Sequence, residues 1–181
     1  MVLHDPTLIR LWGLERPVAE LTWPELDALG HGDERIPTLA QVLEQVPVEL
    51  MVDFTGPEVV PGALEAVRAA GALERSLFVS DHRDALRQLR ALSPAARIGL
   101  TWMEDTPPPL DLLAELAAEC WNPWYPLATP ARVEAAHRAG YRVTTWTVDE
   151  RADMAALAAL GVDALVSNRI SELVAVLDGL G

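Results

Sequence analysis

Tyr141-Arg142-Val143-Thr144-Thr145-Trp146-Thr147-Val148, a helical run from Arg151 to Leu160 stopped by Gly161, then Ala164-Leu165-Val166-Ser167: this stretch decides the fold. Two β-rich runs flank an alanine- and leucine-rich helix that ends at glycine, which makes one strand–helix–strand unit. The same beat runs upstream. Val48 to Asp53 reads as a buried strand, and residues 58–70 as a helix ended by Gly71. Strands follow at Leu77–Ser80, Ile98–Trp102 and Cys120–Asn122, with helices at 84–92, 109–118 and 130–139. A last helix closes the chain after Ser167. The strand ends fall at residues 53, 80, 102, 122, 146 and 167, so the spacings are 27, 22, 20, 24 and 21 residues. Each spacing fits one strand and its crossover helix, which is the mark of a parallel sheet buried on both faces. Six such units point to an α/β fold that is most of a (β/α)8 TIM barrel. An open, doubly wound sheet is the alternative, although no glycine-rich phosphate loop follows the first strand.

Residues 6–47 break the beat. Thr7 to Gly13 reads as loop, Thr22 caps a short helix with Pro24 near its start, and Thr38 caps another. This segment is expected to be an insertion over the barrel top, within a single domain over residues 1–181. Pro107-Pro108-Pro109 reads as a stiff connector inside that domain.

Composition bounds the function. The formal charge is −13 and all 14 basic residues are arginine, so no lysine base, Schiff base or P-loop lysine is available. An acidic chain lacks the clustered cations that nucleic acid or an anionic membrane demands, which excludes a nucleic-acid partner. A small phosphorylated substrate remains compatible. The single cysteine, Cys120, forms no intrachain disulfide and suits a reducing compartment. No leader pattern precedes Val2, and the longest uncharged apolar stretch, 154–162, is too short to span a bilayer. A cytoplasmic protein without membrane insertion is the expectation.

In such a barrel the active site lies at the C-terminal ends of the strands. Those positions hold Asp53 and Thr55, Ser80 to His82, Trp102 and Glu104, Asn122, Trp146 and Asp149, and Asn168 with Arg169. Val2-Leu3 reads as a further strand end leading into His4-Asp5, where the carboxylate can orient the imidazole for proton transfer. The aromatics suit a wall that stacks on an organic group, and the carboxylates suit a metal or an acid/base pair. His31 reads as a solvated loop residue, His137 as structural, and His82 as either a helix cap or a residue facing the site. Trp12, Trp23, Trp121 and Trp124 read as packing or rim residues.

Leu3-His4-Asp5-Pro6-Thr7-Leu8, then Leu21-Thr22, then Ile36-Pro37-Thr38-Leu39, resembles the glycerophosphodiester phosphodiesterase family, which carries HDPTL-x-R and IPTL in that order. Thr145-Trp146-Thr147-Val148-Asp149 and Gly161 to Asn168 are similar to that family's WTVN and GVDGIITD strands. The resemblance covers essentially the whole chain. It implies hydrolysis of small phosphodiesters, a glycerophosphodiester giving glycerol 3-phosphate and an alcohol, assisted by a divalent metal (Mg or Ca). It implies that His4 moves a proton, Asp5 orients it, Asp53 binds the metal where the family has glutamate, and Trp146 lines the alcohol pocket. Trp102, Asn168 and Arg169 join Trp146 as expected substrate-binding residues.

The departures carry equal weight. Thr55 stands where the family has lysine, and Ser167-Asn168 where Thr-Asp is common. The family's His-Arg-Gly and Glu-x-Asp strand ends lie upstream of HDPTL, so the resemblance implies a chain lacking about the first two barrel strands and inactive as it stands. A family member without catalysis, binding a phosphodiester or a protein through the same pocket, is the alternative.

Overall fold

The computed structural model describes residues 1–30 and 35–179, so the His31 reading lies outside the described residues. The chain forms two compact units: Met1–Val48 with Glu65–Ala72, and Glu49–Leu64 with Leu73–Gly181.

In the first unit, β1 (Thr7–Leu8) pairs antiparallel with β2 (Leu14–Pro17) across the one-turn helix α1 (Ile9–Trp12). Gly13 ends α1 at φ 66°, the left-handed conformation that glycine adopts without steric cost. Residues 1–6 form no strand, and the Val2 amide donates to the Pro37 carbonyl at 2.9 Å. The expected Val2-Leu3 strand end is therefore an irregular segment tied by a backbone bond to the IPTL stretch. Helices α2 (Trp23–Asp27) and α3 (Leu39–Gln45) start where their threonines predict. Thr38 Oγ1 accepts from the Gln41 amide at 3.2 Å, and Gln41 Oε1 accepts from the Thr38 amide at 2.8 Å, a reciprocal capping box. Leu8, Leu26 and Ile36 form the buried core, with Leu3, Trp12, Leu14, Val18, Leu21 and Leu29 packed around them.

The second unit carries the sheet. Strand β3 (Leu50–Asp53) begins it, followed by the N-terminal half of α4 (Val60–Ala69), whose residues from Glu65 onward belong to the first unit. Then come β4 (Ser76–Ser80), α5 (Arg83–Leu92), β5 (Arg97–Trp102), α6 (Leu110–Glu115), β6 (Cys120–Pro123) and α7 (Pro130–Arg138). Strand β7 (Arg142–Thr145), α8 (Arg151–Leu160), β8 (Ala164–Leu165) and α9 (Ile170–Asp178) complete it. All neighbouring pairs are parallel, and the spatial order is the chain order, β3 to β8. A doubly wound sheet reverses its order at a switch point, and this one does not, which leaves the barrel arrangement.

Burial explains the inner strands, whereas β3, read as a buried strand, has every residue half-buried or exposed. Every residue of β4 is buried, as expected for a strand covered by helices on both faces. Phe78 is wholly buried and stacks on Phe54, with ring centroids 5.4 Å apart. On α5 the buried residues are Ala85, Leu86 and Leu89, a helical stripe beside exposed Arg83 and Arg87. Gly99 is a packing requirement: a Cβ there would come within 2.6 Å of Cys120 Sγ.

Several elements are shorter than the sequence predicts, β3 among them, which begins at Leu50 rather than Val48. Helix α6 stops at Glu115 rather than 118, because Ala117 takes a left-handed φ of 46° and the Ala118 amide turns back to the Leu113 carbonyl, while Arg90 donates to the freed Leu116 and Ala117 carbonyls. Strand β7 stops at Thr145, and Trp146 instead bridges to Trp124. Strand β8 stops at Leu165, because Ser167 and Asn168 turn towards Asp149. Among the described residues, no helix is long and apolar enough to cross a membrane.

Candidate functional site

His4 and Asp5 lie in the irregular segment of the first unit. The His4 side chain is 92 % exposed, and its Nδ1 is 2.8 Å from Asp5 Oδ1. Arg10 Nε donates to the other oxygen, Asp5 Oδ2, at 2.5 Å. The Arg10 guanidinium, and then His4, hold the Asp5 carboxyl below the usual carboxylate range. An ionised Asp5 only accepts hydrogen bonds, so His4 Nδ1 carries the proton of this bond. The motif residue Arg10 was given no role by sequence; its signal is its place as the last letter of HDPTL-x-R.

In the second unit the predicted residues sit at the C-terminal ends of the strands, in three groups. Asp53 ends β3 and is exposed. Trp102 ends β5 and is only 6 % exposed, with the Arg83 guanidinium 5.1 Å from its ring centroid. Arg83 also pairs with Glu104, so the ring supports a surface ion pair through a cation–π contact.

The third group runs from β6 to α9. Asn122 is buried and spans its neighbours, donating to Thr101 Oγ1 at 3.1 Å and accepting from Thr144 Oγ1 at 2.7 Å. Trp146 Nε1 donates to the Asn122 carbonyl at 3.1 Å, which fixes the indole's edge while the residue stays half-buried. The peptide bond after Trp146 is cis.

Asp149 lies three residues beyond Trp146 and gathers the turn after β8. Its Oδ1 accepts from the Asn168 amide at 2.8 Å and from Ser167 Oγ at 3.1 Å, and its Oδ2 accepts from Asn168 Nδ2 at 3.0 Å. The side chain and backbone amide of Asn168 hold the Asp149 carboxyl below its ordinary range, with smaller help from Ser167 and Arg169. Arg169 donates from Nη1 to the Asp149 carbonyl at 3.4 Å and pairs with Glu172 at 3.1 Å. Asn168 and Arg169 are thus brought together by Asp149, which the sequence marked as a strand-end residue without a role.

Other strand-end groups serve structure. Ser80 Oγ donates to the Phe54 carbonyl at 2.7 Å and accepts from the His82 amide at 3.0 Å. His82 stands at the start of α5 and makes no side-chain capping bond there. His137 Nε2 lies 2.9 Å from Asp163 Oδ2, which also accepts from the Val143 amide.

A divalent metal needs several carboxylate or imidazole ligands; even magnesium takes one or two carboxylates beside its waters. Among the described residues no three His, Cys, Asp or Glu side chains come together to hold one. Asp149 is also committed to its three hydrogen bonds. The donor set present in the described residues does not fit a resident metal.

The model of the glycerophosphoryl diester phosphodiesterase family matches residues 1–172. The chain belongs to that family. It is 27 % identical to a glycerophosphodiester phosphodiesterase of Caldanaerobacter subterraneus, over 93 % of this chain and 76 % of that protein. The fold matches the phosphodiesterase of Oleispira antarctica solved with its product sn-glycerol-3-phosphate, with a TM-score of 0.88 at 20 % identity, covering 97 % of this chain and 78 % of that one. It also matches the glycerophosphodiester phosphodiesterase of Thermotoga maritima, with a TM-score of 0.78 at 19 % identity, over 99 % of this chain and 78 % of that one. The six parallel strands in chain order are therefore those of this family's TIM-barrel fold.

Proposed function

We propose that this domain, when joined to the family's His-Arg-Gly and Glu-x-Asp strand ends, acts on small phosphodiesters, taking a glycerophosphodiester to sn-glycerol 3-phosphate and an alcohol. The observation that carries the reading is the family match from residue 1 to 172, which spans the His4-Asp5 motif as well as the Trp146 and Asn168 strands. The product bound to the Oleispira antarctica phosphodiesterase supports the same substrate class.

Hydrolysis adds water across a P–O bond, so a proton must leave the attacking water and another must reach the departing alkoxide. The HDPTL resemblance gives that task to His4, whose Nδ1 is held by Asp5 within the first unit. Trp146 offers an apolar face to the alcohol, with Trp102 as a second aromatic. Asn168 and Arg169 offer an amide and a cation to the glycerol phosphate. Asp53, exposed at the end of β3, is the carboxylate that would meet a cation arriving with the substrate.

A second reading is binding without turnover. It is favoured by the absence, among the described residues, of a group that could hold a metal, and by Thr55 in the place of the family's lysine. One assay separates the two. The purified protein, joined to those two strand ends, is incubated with glycerophosphocholine and Mg2+ or Ca2+, and sn-glycerol 3-phosphate release is followed with a coupled dehydrogenase. Release that is lost in His4→Ala is the expected result. No release with either cation, in a protein that binds sn-glycerol 3-phosphate, would favour the binding reading.

A further inference from the structure

We infer that Asp149 is a positioning residue that sets which hydrogen-bonding face Asn168 and Arg169 turn to the glycerol phosphate; the inference rests on the phosphodiester reading above. The argument starts from donor and acceptor arithmetic. An ionised carboxylate can only accept, and Asp149 faces three donors: the Asn168 amide, Asn168 Nδ2 and Ser167 Oγ. That settles the orientation of the Asn168 side chain. Its NH2 group faces Asp149, and its Oδ1, without a partner among the described residues, is left as an acceptor for a hydroxyl. The Asp149 carbonyl and Glu172 occupy Nη1 and Nε of Arg169, which leaves Nη2 as the donor for a phosphate oxygen. Ser167 ties the arrangement shut, accepting from the Arg169 amide at 2.9 Å while donating to Asp149. One carboxylate just beyond β7 thereby fixes an acceptor and a donor in the turn after β8. A glycerol phosphate, with a hydroxyl beside an anionic phosphate, has the matching pair.

Both members of the pair differ from the family's strands: WTVN has Asn where Asp149 stands, and GVDGIITD has Asp where Asn168 stands. The exchange is reciprocal and keeps one carboxylate facing one amide. Asp149→Asn alone replaces one of the two acceptor oxygens by a donor. The new amide would then either set its NH2 against a donor it now accepts from, or force Asn168 to flip and turn its own NH2 outward. The double exchange Asp149→Asn with Asn168→Asp restores a donor–acceptor contact and leaves a carboxylate oxygen as the outward acceptor.

The test measures sn-glycerol 3-phosphate affinity by titration calorimetry in the full chain, with thermal melting beside it. Asp149→Asn leaves a donor unmatched and is expected to weaken binding by about tenfold, equivalent to about 1.4 kcal/mol. The double exchange is expected to bring affinity back to within about threefold, because the contact is remade. Melting temperatures that stay together while affinities separate mark positioning rather than folding. Unchanged affinity in Asp149→Asn overturns this inference and leaves the proposed function standing. Failure of the double exchange to recover affinity, in a folded protein, overturns it equally. A wild-type protein that does not bind the ligand overturns the functional reading and this inference with it.

Discussion

The hairpin of the first unit pairs Thr7 with Pro17, ten residues on, whereas every pair in the sheet joins residues twenty or more apart, as Leu77 with Arg97 or Leu50 with Ser76. The energetics differ in the same way. Between residues 1 and 48 the side-chain hydrogen bonds run mostly between neighbours, a capping box at Thr38, Glu25 folded back on Thr22 and Arg10 on Asp5, around the small core of Leu8, Leu26 and Ile36. In the sheet it is held by burial, with all of β4 out of water and helix stripes packed on it. A motif in the first unit can thus be read letter by letter. A strand in the second has meaning only through partners a full βα unit away.

The largest expected effect falls in the sheet. Phe78→Ala removes a wholly buried ring stacked on Phe54 and should cost about 3–5 kcal/mol, seen as a lower denaturant midpoint. A loss below about 1 kcal/mol would show that β4 does not carry the stability assigned to it. Gly99→Ala comes next, since its methyl meets Cys120 Sγ and Val79, and overpacking costs about 1–3 kcal/mol. Adding Cys120→Ala should return part of that loss. If it returns none, the close contact is not the cause.

Smaller changes probe the first unit. Thr38→Ala should cost about 1 kcal/mol by removing the capping acceptor, with faster amide exchange confined to α3. Exchange that quickens through β4 and β5 as well would erase the contrast between the units. The gentlest probe is pH. The Thr22 amide and hydroxyl, with Arg16, draw the Glu25 carboxyl from its usual 4.5 down to about 2. A depressed acid adds stability above its unfolded pKa and loses it as pH falls through the folded one. Helix α2 should therefore hold down to about pH 4 and loosen towards about pH 2, with the sheet unaffected over that step. A Glu25 titration midpoint near 4.5 by NMR would contradict the capping geometry.

Much of this was legible beforehand for stated reasons. Apolar runs and glycine stops place β4 to β6 and α8 within a residue or two, because both signals are local in sequence. Thr22 and Thr38 mark helix starts for the same reason. The early end of α6 was not legible, since Ala117 rather than a glycine takes the left-handed φ, and Arg90, which meets the freed carbonyls, lies more than twenty residues away. Nor was the role of Asp149, whose partners come from the next strand's turn. Val2-Leu3 has the composition of a strand end, but the structure gives it a single backbone bond to Pro37 and no strand partner. Motif and periodicity name the residue types of a site; the pairs among them are set by register.

The most direct test of the central claim is to map sn-glycerol 3-phosphate onto the chain by 15N NMR titration. The account predicts that the largest shifts fall on the Trp146 indole and on the amides of Asn168 and Arg169. Shifts elsewhere with those three unmoved, or no shift at millimolar ligand, would contradict it.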